Sequence, residues 1–137
     1  NDLVILSDSF HSVHCRVFAV AYEVRKPRKF NNLSVAFGLY GRNDIQVSDL
    51  KNTTTGDIFT APVPDKGVLR CRVDRLPLNV GTYTFNAILR TDQAIEDYVL
   101  GAGRFDVVAG DYFGSGSIVD PDHGMVMVNH RWALDAG

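Results

Sequence analysis

The sequence has few cysteines and no long apolar run. Cys15 and Cys71 are the two cysteines in 137 residues. They would form a disulfide in a secreted sandwich domain, whereas two buried free thiols fit an intracellular protein, and we favour free thiols because nothing else indicates secretion. No apolar stretch approaches the roughly 20 residues that a membrane-spanning helix needs, so we expect no direct insertion into a membrane.

The chain also lacks an excess of charge of either sign. Fourteen basic and 16 acidic residues give a net charge of −2, so no basic field exists to attract nucleic acid or anionic lipid. The length suits one domain over residues 1–137. No signal-peptide pattern opens the chain, and it begins with Asn1 rather than Met, so we expect a domain excised from a longer protein.

Catalytic and metal-binding motifs are missing as well. There is no Gly-x-Ser-x-Gly elbow and no phosphate-binding glycine loop, and no histidine has another ligand at zinc spacing. Asp111, Asp120 and Asp122 are candidate calcium ligands, but acidic residues beside proline and glycine more often build turns. We therefore predict no metal, no cofactor and no catalytic residue in this domain.

The dominant pattern that the sequence does contain is alternation of apolar and polar residues with period two. Residues 33–40, 68–75 and 82–91 show it most clearly. Other strand-like segments are 3–6, 13–24, 45–50, 98–100, 104–109 and 125–132. Turn residues separate these segments, and none shows ten residues of helical periodicity. The sequence therefore predicts an all-β protein, an antiparallel β-sandwich of the Ig-like or jelly-roll type with eight or nine strands.

A tyrosine corner is predicted where residues 76–83 read LPLNVGTY. In such a corner the Tyr83 ring packs inside the sandwich, and its hydroxyl bonds a backbone group upstream. The alternative is an ordinary turn before an alternating strand.

A ligand surface is predicted on the strand faces opposite the core. Small residues at Ser34, Ala36 and Gly38 leave room for a ligand close to the backbone. Arginine and asparagine supply directional hydrogen bonds for sugar hydroxyls, and a tyrosine ring can stack on a sugar. We predict that the ligand-binding residues are Tyr40, Arg70, Arg72, Asn86 and Arg90. The alternative is that this face is simply the polar, hydrated side of an antiparallel sheet.

Residues 125–132, MVMVNHRW, have the composition of an apolar last strand behind a Gly- and Pro-containing loop. Such a strand either completes its own sheet or adds to the sheet of a second copy. We expect Trp132 to be a core or interface anchor rather than a ligand platform. The residues predicted to take part in strand exchange are Met125, Val126, Met127, Val128 and Trp132.

Five sequence blocks together resemble a known family. They are VFAVAYEVRKP at 17–27, LSVAFGLYGRND at 33–44, LPLNVGTYTFNAIL at 76–89, RFDVVAGDYFGSG at 104–116 and HGMVMVNHRW at 123–132. In this order they resemble the C-terminal domain of the ATP-binding subunit of Wzt-type ABC transporters, which export O-antigen polysaccharide. Between residues 44 and 68 the sequence departs from the family pattern.

This resemblance implies a carbohydrate-binding domain with no ATPase machinery of its own. It implies recognition of a finished O-antigen polysaccharide, at its non-reducing end, on the cytoplasmic face of the bacterial inner membrane. It also implies a homodimer that exchanges its last strand through a hinge at residues 115–123, and contact with the transporter membrane subunit through the parent chain. The alternatives are a structural dimerisation module and an accessory domain of a glycan-modifying enzyme.

Overall fold

The computed structural model describes residues 2–6, 11–13, 16–110 and 112–137, with residues 11–13 described as backbone. The described residues form nine strands and one short 3-10 turn, Arg42–Asp44. The strands are β1 Leu3–Ile5, β2 His11–Val13, β3 Val17–Val24, β4 Asn32–Tyr40, β5 Gln46–Lys51, β6 Phe59–Thr60, β7 Lys66–Arg72, β8 Gly81–Thr91 and β9 Ala94–Val107. The prediction of an all-β protein is confirmed.

The strands form two antiparallel sheets. In the first sheet β3 lies at the centre, with β7 along one side and β1 and β2 sharing the other. In the second sheet the order is β5-β4-β8-β9, and β6 extends the β5 side of β4. Every pairing is antiparallel, which agrees with the period-two alternation of the sequence.

Aromatic rings join the two sheets into a sandwich. Phe18 of β3 meets Phe85 of β8 and Phe105 of β9 edge-to-face, at centroid distances of 5.8 and 5.1 Å. Phe37 of β4 packs on Phe85 at 5.8 Å in the same manner. These rings are buried, and edge-to-face pairs add stabilisation beyond that of area burial.

The two lateral edges of the sandwich differ. On one side β1 and β2 contact β9, and the Ile5 amide donates to Asp97 Oδ2 at 2.7 Å. Nearby, the buried Glu96 carboxylate accepts from Arg28 and from the Thr91 hydroxyl. On the other side the edge strands β5 and β7 leave a cleft between the sheets. The sandwich is therefore closed along one edge and open along the other.

The tyrosine corner is confirmed. The buried Tyr83 hydroxyl donates to the backbone carbonyl of Asn79 at 2.7 Å. Burial raises the pKa of Tyr83, and the positive charge of Arg42 opposes that shift. The hydroxyl therefore remains a hydrogen-bond donor at neutral pH.

Three sequence predictions about strands were wrong in detail. Residues 13–24 are not one strand, because β2 is a separate strand that pairs back onto β3. Residues 98–100 and 104–107 belong to one long strand, β9, which bulges at Gly101 instead of ending there, and residues 108–109 lie beyond its end. Strand β6 was missed because two residues are too few to show alternation.

The predicted strand at residues 125–132 does not form in this single chain. The Asn79 amide donates to the Met125 carbonyl, the Met127 amide donates to the Pro77 carbonyl, and one isolated bridge joins Leu78 to Val126. Residues 128–137 belong to no regular element. Residues 77–79 are too few to form a longer β-ladder with residues 125–132, so the pairing is limited to one bridge.

Cys71 is a free, half-buried thiol on β7. Burial raises the pKa of the thiol, and the negative charge of Asp57 adds to the shift. The other cysteine of the predicted pair, Cys15, lies outside the described residues.

Candidate functional site

The outer face of the second sheet carries a row of small residues along β4. Ser34, Ala36 and Gly38 point away from the core, yet all three are buried. Longer side chains of the strands on either side flank this row and cover it. We call this strip along the outer face of β4, with the side chains that flank it, the β4 trough.

The strand register shows which side chains flank the β4 trough. Residues directly opposite one another in an antiparallel pair share a face. Gly38 therefore lies between Asp49 of β5 and Asn86 of β8. In the next row Ala36 lies between Lys51 and Ile88.

Tyr98 and Arg90 extend the far wall of the trough. Tyr98 of β9 lies opposite Ile88 and is 47% exposed, so part of its ring faces solvent. Arg90 of β8 lies opposite Ser34 and is half-buried. The guanidinium of Arg90 and the ring of Tyr98 therefore lie on the same side of the trough, in neighbouring rows of the sheet.

Tyr40 closes one end of the β4 trough. A Cβ atom on Gly38 would lie 3.1 Å from Tyr40 Cε1 and 3.3 Å from Gln46 Nε2. The absence of a side chain at position 38 therefore lets the Tyr40 ring lie down over the strand. Gln46 pairs with Tyr40 across the sheet and completes the end wall.

Asn86 also shapes the sheet beside the trough. Its Oδ1 accepts a hydrogen bond from the Gly101 amide at 2.8 Å. Gly101 has φ of 58°, a conformation that glycine adopts at low cost. Asn86 thus helps to hold the β9 bulge, and its amide nitrogen is the group that remains to donate to a ligand.

The structure divides the five predicted ligand-binding residues between the two sheets. Tyr40, Asn86 and Arg90 lie on the outer face of the second sheet around the β4 trough, with Tyr40 and Arg90 towards opposite ends of it. Arg70 and Arg72 lie on β7 of the first sheet, where both are exposed and point away from the core. The expectation that all five line one surface was wrong, because alternation shows that a side chain points outward but not which sheet its strand joins.

Several residues of the trough were missed by sequence reasoning. Each is an outward residue of an alternating strand, but its place beside β4 depends on strand pairing between distant parts of the chain. Those residues are Gln46, Asp49, Lys51 and Tyr98. The only local signal was an exposed position in a strand-like segment, and many other positions share it.

The C-terminal segment is held at its base by Asn79. The Asn79 side chain is buried, and its amide nitrogen donates to the carbonyls of Asp120 and Gly124 at 3.0 and 2.9 Å. Its Oδ1 accepts from the Val80 amide at 2.8 Å. Beyond this anchor the predicted exchange residue Trp132 is 88% exposed. In this single chain Trp132 is therefore not a core residue.

The acidic residues near the C-terminus build a turn. Asp120 Oδ1 accepts from the Asp122 amide at 2.8 Å, and Asp122 lies near Arg42. The described residues contain no group of three or more His, Cys, Asp or Glu that could hold a metal ion. Asp111, the third residue considered for calcium, lies outside the described residues.

Comparison with known proteins identifies the fold. No family model matches the sequence, and no curated protein matches it. In the part of the chain that the structure describes, no helix has the length and apolar character needed to span a membrane. A crystal structure of the C-terminal domain of Wzt aligns with 87% of this chain and 69% of its own, with a TM-score of 0.68 and 9% sequence identity. The chain therefore has the fold of the C-terminal domain of Wzt, as the sequence resemblance led us to expect.

Proposed function

We propose that residues 1–137 are a non-catalytic domain that binds an O-antigen polysaccharide and selects it for export by an ABC transporter. The observation that carries the proposal is the β4 trough, which lies on a sandwich with the fold of the Wzt C-terminal domain. The glycan would bind by its non-reducing end. The domain would act at the cytoplasmic face of the bacterial inner membrane and reach the transporter membrane subunit through its parent chain.

The chemistry of the trough suits a sugar chain. Sugar hydroxyls need several fixed donors and acceptors, and Asp49, Lys51, Asn86 and Arg90 supply both kinds along one wall or the other. The part-exposed ring of Tyr98 offers an apolar surface with a polar tip, which suits the face of a pyranose. Because neighbouring side chains cover the small β4 residues, a sugar would contact the flanking side chains rather than the strand itself.

Two substitutions in the trough test the site. We expect Arg90→Gln and Tyr98→Ala each to weaken binding about tenfold, which corresponds to about 1.4 kcal/mol. The matched control is Arg72→Gln on the outer face of the first sheet, where we expect the affinity to stay unchanged. A glycan array on the isolated chain identifies the ligand, and titration calorimetry then measures the three variants.

One result would reject the trough as the glycan site. Unchanged affinity in both Arg90→Gln and Tyr98→Ala, with melting temperatures within a few degrees of the parent, would place the glycan elsewhere. A loss confined to Arg72→Gln would move the site to the first sheet.

A homodimer that exchanges its C-terminal segment is the second part of the proposal. Its support is the exposure of apolar residues beyond the Asn79 anchor, chiefly Val126, Val128 and Trp132. Exposed apolar side chains in a segment that its own chain holds by one isolated bridge favour addition to the sheet of a second copy. This observation also favours the alternative function, a dimerisation module whose sugar binding is incidental.

Light scattering tests the dimer. We expect the full chain to be a dimer, and a chain that ends at Gly124 to be a monomer with an intact far-ultraviolet spectrum. Asn129→Ala, an exposed polar change in the same segment, is the control and should leave the dimer intact. A full chain that is monomeric at the highest concentration measured would contradict strand exchange.

A further inference from the structure

The open edge of the sandwich contains a cleft of about 580 Å³, whose lining shares Asp49 and Lys51 with the β5 side of the β4 trough. It runs between the two edge strands, β5 of the second sheet and β7 of the first. Strand β7 makes its main contacts with β3, so the two sheets part along this side. The volume falls within the roughly 300–1,000 Å³ typical of small-molecule sites.

The floor of the cleft is apolar because it is the flank of the hydrophobic core. Val35, Phe37 and Leu69 are core residues whose side chains reach it. Leu50 and Phe59 line the second-sheet side and are partly buried against the same core. An apolar group that enters the cleft would therefore extend the core rather than cover a separate patch.

The mouth of the cleft is polar because side chains alternate in direction along the two edge strands. Along an edge strand every second side chain points outward, so Lys51 of β5 and Arg70 and Arg72 of β7 flank the opening. Among the described residues these three cations make no ion pair. Asp57 also lies at the mouth, but its carboxylate accepts from the Thr55 hydroxyl at 2.6 Å.

We propose that this cleft binds a small carboxylate amphiphile. The carboxylate pairs with Arg70 and Arg72, and the apolar body lies against Leu69 and Phe37. The arginine fork accepts a planar carboxylate through two parallel hydrogen bonds, and the open flank of the core takes the hydrocarbon. The two arginines and the apolar floor lie outside the β4 trough, so this proposal does not depend on the glycan proposal.

Decanoate is the probe, and decanol is its neutral counterpart. Titration calorimetry on the full chain should show that decanoate binds at least tenfold more tightly than decanol. The double variant Arg70→Gln/Arg72→Gln should remove that difference, whereas Arg90→Gln, on the trough side of the second sheet, should retain it. Circular dichroism checks that decanoate leaves the fold unchanged.

The Cys71 thiol provides a second readout because it lines the cleft. We expect decanoate to slow maleimide labelling of Cys71, followed by peptide mass spectrometry, and decanol at the same concentration to slow it less. Equal effects of the two probes, or no protection in either case, would overturn the proposal. Protection that grows with protein concentration without decanoate would also overturn it, since a second copy would then occupy the cleft.

Failure here and failure of the glycan proposal are distinguishable. If decanoate binds but leaves glycan affinity unchanged, both sites stand. If Arg70→Gln/Arg72→Gln abolishes glycan binding and decanoate does not bind, the cleft proposal fails and the glycan site moves to β7.

Discussion

Single side chains hold together parts of this sandwich that are distant in sequence, and two asparagines show how. Asn52 Oδ1 accepts from the Val35 amide at 2.8 Å, and its Nδ2 donates to the Asp57 carbonyl at 2.8 Å. Asn79 binds the turn that leads into the C-terminal segment in a similar way. An amide side chain can donate and accept at once, so it closes a loop and ties that loop to a neighbouring strand.

At the same scale, the tyrosine corner makes a defined contribution to stability. Tyr83→Phe removes the buried hydroxyl and leaves the Asn79 carbonyl without its 2.7 Å partner. We expect the free energy of unfolding to fall by about 1–3 kcal/mol. Urea unfolding followed by fluorescence measures the change.

The matched control for this prediction is Tyr40→Phe. Tyr40 is half-buried and lies on the outer face of the second sheet, so its substitution should change stability by less than about 0.5 kcal/mol. Equal losses in the two variants would mean that the corner hydrogen bond contributes nothing specific.

At the scale of elements, β4 is the strand on which the candidate site depends. Seven consecutive residues of β4, 33–39, are buried, because the core covers one face and neighbouring side chains cover the small residues of the other. Alternation in the sequence correctly predicted that the small residues of β4 face away from the core. It also led us to expect that they lie on an open surface. Burial on the outer face comes from β5 and β8, which flank the strand on both sides.

The C-terminal segment is an element whose attachment can be tested. Asn79→Asp keeps the shape of the side chain but replaces the donor to the Asp120 and Gly124 carbonyls with an oxygen. Two carbonyls then face a carboxylate, so we expect a loss of about 2–4 kcal/mol for this buried site. Hydrogen exchange should become faster at Met127, whose amide bonds the Pro77 carbonyl.

Asn129→Asp makes the same chemical change at an exposed position of the segment. It should leave both the stability and the exchange rate at Met127 unchanged. If Asn79→Asp left that exchange rate unchanged too, the bridge between Leu78 and Val126 would be holding the segment without help from Asn79.

At the scale of the whole molecule, the buried phenols predict how stability depends on pH. The Tyr22 hydroxyl donates to the Pro64 carbonyl at 2.8 Å. Burial is the main reason that the pKa of Tyr22 is raised, and the charge of Asp65 adds to it; burial also raises the pKa of Tyr83. As pH rises, the unfolded chain therefore ionises first, near its ordinary value of 10.0.

The free energy of unfolding should consequently hold steady below about pH 9 with respect to these phenols and fall above about pH 10. Urea unfolding at a series of alkaline pH values measures the fall. The double variant Tyr22→Phe/Tyr83→Phe should show a shallower fall than the parent. An identical slope in both proteins would mean that these phenols do not control alkaline stability.

The sequence by itself determined the strands with clear period-two alternation, such as β4 and β8, the direction of their side chains and the tyrosine corner. Alternation is a local property of an extended chain, and the corner joins Tyr83 to a residue four positions away. The sheet to which each strand belongs was decided by tertiary structure alone. That choice separated Arg70 and Arg72 from Asn86 and Arg90, brought Tyr98 beside Ile88 and opened the cleft between β5 and β7, because pairing between distant strands depends on how the whole core packs.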